Sequence, residues 1–349
     1  MYELMNQSES EQKTKSIRKS TNIPIQKQAT YYSQRNTLCN MENRSFHNHD
    51  IRIVQRSLTF DILKNANNNN WNEIANKIST CGPIELEIIY SKKTNLINNK
   101  DQLSDSGFAT IVSYLITRKI ERTNFSGNAF NNLIENLKKQ LNNKSVAENL
   151  IDQEVIIIGK NEELTDNSHY SQWKNASSTG GTGSWRTTRG AGAYAIPSAT
   201  DKPDGKMPAG ASPFKYTAIG EETLDSSLTS SFTKYDAGYS VGAHEFAHTI
   251  HEFGITDDQR IRILNCYNNF CNSIGKEWVD GPQYISGKGP CYASTNVKEY
   301  FAQSSNAYWD LNGGTDATTG GNRHNGSTWL SQNDPDMLQL LNEIYNETK

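Results

Sequence analysis

Two histidines four residues apart, in His244-Glu245-Phe246-Ala247-His248, constrain this chain more than any other feature. On a helix, such a pair lies on one face, one side chain about 6 Å above the other. Two imidazoles so placed converge on one Zn²⁺, and Glu245 lies beside the same opening as a general base. The chain has only seven His, so a pair bracketing a Glu at this spacing reads as a zinc hydrolase site. Val241, His244, His248 and Ile250 recur at helical spacing. The pattern predicts a helix capped by Asp236 and stopped at Gly254.

A catalytic zinc of this kind needs a third protein donor. His251 lies seven residues, or about 10 Å of rise, beyond His244, too far to share the ion. It reads as a cleft-lining residue behind the ligands. A second helix is predicted over Lys298–Trp309, capped by Thr295 or Asn296, with Glu299, Ala302, Gln303 and Asn306 on one face. Glu299 would complete a His₂Glu set. Alone, a first-turn glutamate is more readily a solvated complement to the helix dipole.

The pair HEFAH and YASTNVKEYFA resembles the gluzincin zinc metallopeptidases, most of all the group related to the catalytic domain of anthrax lethal factor. The similarity covers about residues 150–349. It includes the run Val155–Ile158, the segment Thr188-Arg189-Gly190-Ala191-Gly192, and Glu221-Glu222-Thr223-Leu224. The resemblance implies an α+β, zincin-like domain, with a small sheet, an active-site helix and a ligand helix. It implies Zn²⁺ held by His244, His248 and Glu299. It also implies a catalytic tyrosine at Tyr292, seven residues before the ligand Glu. Members of the group commonly carry an acidic residue four after that Glu, which accepts an N–H from a zinc-bound imidazole. Here Gln303 stands there: its amide oxygen can accept that bond but carries no charge.

The expected chemistry is peptide-bond hydrolysis. Glu245 would take a proton from zinc-activated water and pass it to the leaving amine, while Tyr292 would donate to the developing oxyanion. The expected substrate is a polypeptide. The alternative is a zinc-binding pseudo-peptidase, a binding or toxin-like effector with little turnover. No G-x-S-x-G elbow appears, and Thr179–Ser184 lacks the Lys-Ser/Thr of a phosphate loop. A net charge of −3 points to no nucleic acid partner. No run of 18 apolar residues predicts a transmembrane segment. The resemblance implies a secreted protein, although no apolar signal-peptide core follows the opening residues. Oligomeric state is not legible.

Mean hydropathy is −0.73, largely from the Asn-rich first half. Residues 1–48 read as a polar, disordered arm, 49–149 as a smaller mixed α/β domain, and 150–349 as the zincin-like domain. Strands are predicted at Ile51–Val54 and Ile84–Tyr90, and helices at Gly107–Ile120, Asn128–Leu141 and Asp257–Ile274. Thr256 and Gln259 form a capping-box pattern for the last, with Gly275 at its end. Of five Cys, Cys266 and Cys271 read as core thiols, and Cys291 as paired or free.

Overall fold

The computed structural model describes residues 61–62, 64–175, 184–193, 214–230, 232, 235–273 and 275–346. All belong to one unit, Gln55–Lys349. The arm at 1–48, the strand expected at Ile51–Val54, Cys39 and most of the Gly-rich stretch after Thr179 lie outside the described residues.

The chain is mixed α+β, mostly helical with small sheets. Helices α1 (Trp71–Lys77), α2 (Pro83–Ser91), α3 (Lys93–Asn98), α4 (Asp105–Ile116), α5 (Gly127–Gln140) and α6 (Lys144–Leu150) come first. Strands β1 (Glu154–Ile158), β2 (Gly190–Ala191) and β3 (Tyr216–Gly220) follow, then α7 (Glu221–Leu224) and α8 (Val241–Thr249). Next come α9 (Asp257–Cys271) and the two-residue strands β4 (Glu277–Trp278), β5 (Gly281–Pro282), β6 (Tyr284–Ile285) and β7 (Gly289–Pro290). The last elements are α10 (Val297–Tyr308), α11 (Gly326–Asn333) and α12 (Pro335–Tyr345).

The segment expected as a strand at Ile84–Tyr90 is helix α2. Pro83 starts it, where its missing N–H costs nothing, and the Gly82 N–H donates to Glu85 Oε2 at 3.0 Å. Glu85, Leu86 and Ile89 are buried while Ile84 is 70% exposed, which is helical rather than alternating burial. Helix α5 follows its amphipathic pattern, burying Phe130, Leu133, Ile134 and Leu137. Helix α9 carries the Thr256–Gln259 capping box and ends at Cys271; Gly275, at φ +81°, lies in the turn beyond. Cys266 is buried, but Cys271 is exposed and so is not a core thiol; Cys291 is free and buried.

One hydrophobic core runs from Ile62 to Tyr345 and takes in α1–α6 together with α8, α9, α10 and α12. This core includes buried residues on both sides of residue 149, among them Ala147, Leu150 and Val155. A second, smaller cluster packs Leu164, Tyr170, Trp173, Trp185 and Phe214 against the sheet. Trp185 thus packs, and Arg186 pairs with Glu163 at 2.7 Å.

The three-stranded sheet has the order β1-β3-β2. β1 runs parallel to β3, with Glu154 opposite Tyr216 and Ile158 opposite Gly220. β2 is the antiparallel edge, with Gly190 opposite Ile219. Helix α8 packs on this sheet and is buried at every residue except Glu245, which is half-buried. Small residues allow that depth: a Cβ on Gly242 would lie 3.1 Å from the Leu224 side chain.

Candidate metal centre

Two capped helices aim the central side chains. Ser240, not Asp236, caps α8, its hydroxyl accepting the Ala243 N–H at 3.1 Å. Asp236 instead accepts from the backbone and hydroxyl of Thr315. The Asn306 amide donates to the Ser240 carbonyl at 3.0 Å, tying the start of α8 to α10. Asn296 caps α10 by accepting from Lys298 and Glu299 at 2.9 and 3.0 Å, which fixes Glu299 in the first turn. Helix α8 runs on through a π turn, Ile250–Gly254.

The ligating atoms of His244, His248 and Glu299 form the one His/Cys/Asp/Glu group, among the described residues, that could hold a metal ion. His244 Nε2 lies 3.1 Å from His248 Nε2 and 3.1 Å from Glu299 Oε2, and His248 Nε2 lies 3.3 Å from that oxygen. Donors placed tetrahedrally 2.0–2.1 Å around a zinc are separated by about 3.3 Å, so the three atoms have the spacing such an ion requires. At most one proton fits between two nitrogens 3.1 Å apart. Three lone pairs facing one point are better satisfied by a shared cation. The imidazole planes stand at 89°, so each points its own nitrogen at the centre.

Electrostatics follow the same arrangement. Burial disfavours a charged His248, but the Glu299 carboxylate outweighs it and raises its pKa. Burial likewise opposes ionisation of Glu299, yet the two histidines hold its carboxyl well below the usual range. Glu245 is not part of the donor group, and burial pushes its carboxyl up against the pull of both imidazoles.

Edge strand β2 lies directly on this helix face. A Cβ on Gly190 would sit 2.5 Å from Glu245 Oε1, and one on Gly192 would sit 2.5 Å from His248 Cβ. Only hydrogen side chains permit that approach.

Tyr292 sits in a single 3-10 turn, Tyr292–Ser294, with its ring centre 5.9 Å from that of His244. It is 39% exposed. Burial about its phenol, then the carboxylates of Glu299 and Glu245, raise its pKa well above 10. The hydroxyl is therefore a neutral donor at ordinary pH.

Two further residues singled out in the sequence, His251 and Gln303, lie outside the donor group. His251 is buried against Phe301, and neither ring nitrogen has a hydrogen-bond partner; Nδ1 is 3.8 Å from Glu252 Oε1. It lies outside the donor group, because the helix rise carries it away. Gln303 makes no hydrogen bond to an imidazole: its Nε2 donates to Asp280 at 2.9 Å, and its oxygen has no partner. Sequence reasoning missed Asp280, which is fully buried between the β4–β5 turn and α10. No local pattern marks it, because its partners come from three other segments.

No family model matches this chain, and no curated protein matches it significantly. Among solved structures it is similar to the PRO-PRO endopeptidase (PPEP-2) from Paenibacillus alvei, with a TM-score of 0.39 and 16% sequence identity. That match covers 67% of this chain and 100% of the other.

Proposed function

We propose that this chain is a zinc-dependent metalloendopeptidase of the zincin type, acting on polypeptides. The observation that carries this reading is the convergence of His244 Nε2, His248 Nε2 and Glu299 Oε2 within 3.3 Å of one another, with Glu245 beside them. Zinc bound there supplies Lewis acidity and a nucleophile at neutral pH. Glu245, its carboxyl raised by burial, accepts a proton from water and returns it to the leaving amine. Tyr292 donates its hydroxyl to the carbonyl oxygen as that atom gains charge.

A second reading is a zinc-binding protein with little turnover. It is favoured by the Nδ1 atoms of His244 and His248, which have no hydrogen-bond partner. Loss of such outer contacts typically costs about 10–100-fold in affinity or activity.

The discriminating experiment is cleavage of an unfolded, generic protein substrate by metal-loaded enzyme. The endopeptidase reading expects internal cuts that a chelator abolishes and added zinc restores. Absence of cleavage across a broad peptide library, with zinc bound, leaves the second reading.

A further inference from the structure

The turn that carries Tyr292 is gripped by two buried carboxylates that take no part in the donor group. The Tyr292 N–H donates to Asp316 Oδ2 at 3.0 Å, and the next N–H, of Ala293, donates to Asp280 Oδ2 at 2.9 Å. Asp316 is 1% exposed and Asp280 is fully buried. A one-turn helix cannot satisfy its own first N–H groups, so these donors need outside acceptors.

Each carboxylate divides its oxygens. Asp316 Oδ1 takes the N–H groups of Thr318 and Thr319 at 3.1 and 2.7 Å, and the Thr319 hydroxyl at 2.9 Å. That fixes its own loop and leaves Oδ2 for Tyr292. Asp280 Oδ1 faces the Asn312 amide and the Arg323 guanidinium, both at 3.4 Å. Its Oδ2 takes Gln303 Nε2 as well as the Ala293 N–H. One oxygen therefore joins the tyrosine turn to α10, one helical turn beyond Glu299. Bonds to ionised acceptors are about twice as strong as neutral ones, which suits them to fixing so short a segment.

We propose that Asp316 and Asp280 are positioning residues that clasp the Tyr292–Ala293 backbone and so set where the Tyr292 hydroxyl stands relative to Glu299 and the metal centre. The proposal rests on the reading of Tyr292 as the oxyanion donor. Tyr292 is 39% exposed, so the placement of its backbone contributes to where its side chain points. A displacement of about 1 Å at such a group can cost about 100-fold in rate.

Asp316→Asn tests the clasp selectively. The asparagine oxygen still serves Thr318 and Thr319, while its NH₂ replaces Oδ2 and meets the Tyr292 N–H donor to donor. In the zinc-loaded protein, kcat should fall about 10-fold or more, with KM and zinc content unchanged. With 3-fluorotyrosine at position 292, the ¹⁹F line should move toward that of free fluorotyrosine or broaden. Asp316→Asn combined with Tyr292→Phe should be no slower than Tyr292→Phe alone. An unmoved ¹⁹F line, or losses that multiply in the double variant, overturns the clasp. If Asp316→Asn does not fold, Asp280→Asn takes its place: a shifted fluorine line and a lower kcat support the clasp, and an unmoved line overturns it. Full activity in Tyr292→Phe would instead remove the tyrosine's catalytic role, while the fluorine line still reports whether the carboxylates hold the turn.

Discussion

Gln303 Nε2 donates to the carboxylate of Asp280 at 2.9 Å, so the residue one turn beyond Glu299 faces a buried anion. The amide at this position is what that anion requires. A carboxylate there would meet a second carboxylate in a site where both residues are fully buried.

Gln303→Glu is therefore expected to destabilise the protein at neutral pH by roughly 3–5 kcal/mol, the usual cost of an uncompensated buried charge. Part should be recovered at low pH, where one carboxyl of the pair is protonated. Denaturant titrations at pH 5 and 8 measure it. Unchanged stability with tighter zinc binding would show Gln303 serving an imidazole instead.

Glu245→Gln should keep zinc, because Glu245 is outside the donor group. It should lower kcat by about 10²–10⁴-fold through loss of the base. Metal analysis and peptide turnover on one preparation check both halves. A variant without zinc would make Glu245 part of the metal's support.

The approach of β2 to α8 leaves no room for a methyl group. Gly192→Ala would put Cβ 2.8 Å from the Glu245 carbonyl oxygen, which cannot swing aside as a side chain can. It is expected to cost about 1–3 kcal/mol, as overpacking does, and to weaken zinc binding. Gly127→Ala, with nothing within 4 Å of the added Cβ, is the control and should be neutral or slightly stabilising. Thermal melts of the two variants with and without zinc make the comparison.

Burial lifts the Asp334 carboxyl to about 6, against the hydrogen bond from Tyr300. A carboxyl raised from 3.8 binds more protons folded than unfolded, so its contribution is full at low pH and lost as pH rises through about 6. Asp334→Asn keeps the cap on α12 and removes that dependence. Relative to the variant, the wild type should lose up to about 3 kcal/mol between pH 4 and 7. A pH-independent difference in chemical denaturation would refute the shift.

What the sequence made legible was local and periodic. The spacing of His244 and His248 and the pattern around them read as a helix, Thr256 and Gln259 announced the start of α9, and of the two caps read for α10, Thr295 and Asn296, it is Asn296 that caps it. The strand read at Ile84–Tyr90 failed because Ile-Glu-Leu-Glu alternates like a strand, while the cap signals of Pro83 and Glu85 outweighed it. Glu299 needed the family resemblance, since a first-turn glutamate carries no signal of its own. Asp280 and Asp316 were invisible because their meaning lies in partners from distant segments. Gly190 and Gly192 matter only once β2 is laid against α8.

Elemental analysis of the purified protein, beside His248→Ala and Glu299→Ala, tests the metal centre most directly. About one zinc per chain is expected in the wild type, and strongly reduced or no zinc in either variant. A wild type that takes up no zinc from solution, or a Glu299→Ala variant that holds it as tightly, would contradict the His244–His248–Glu299 site.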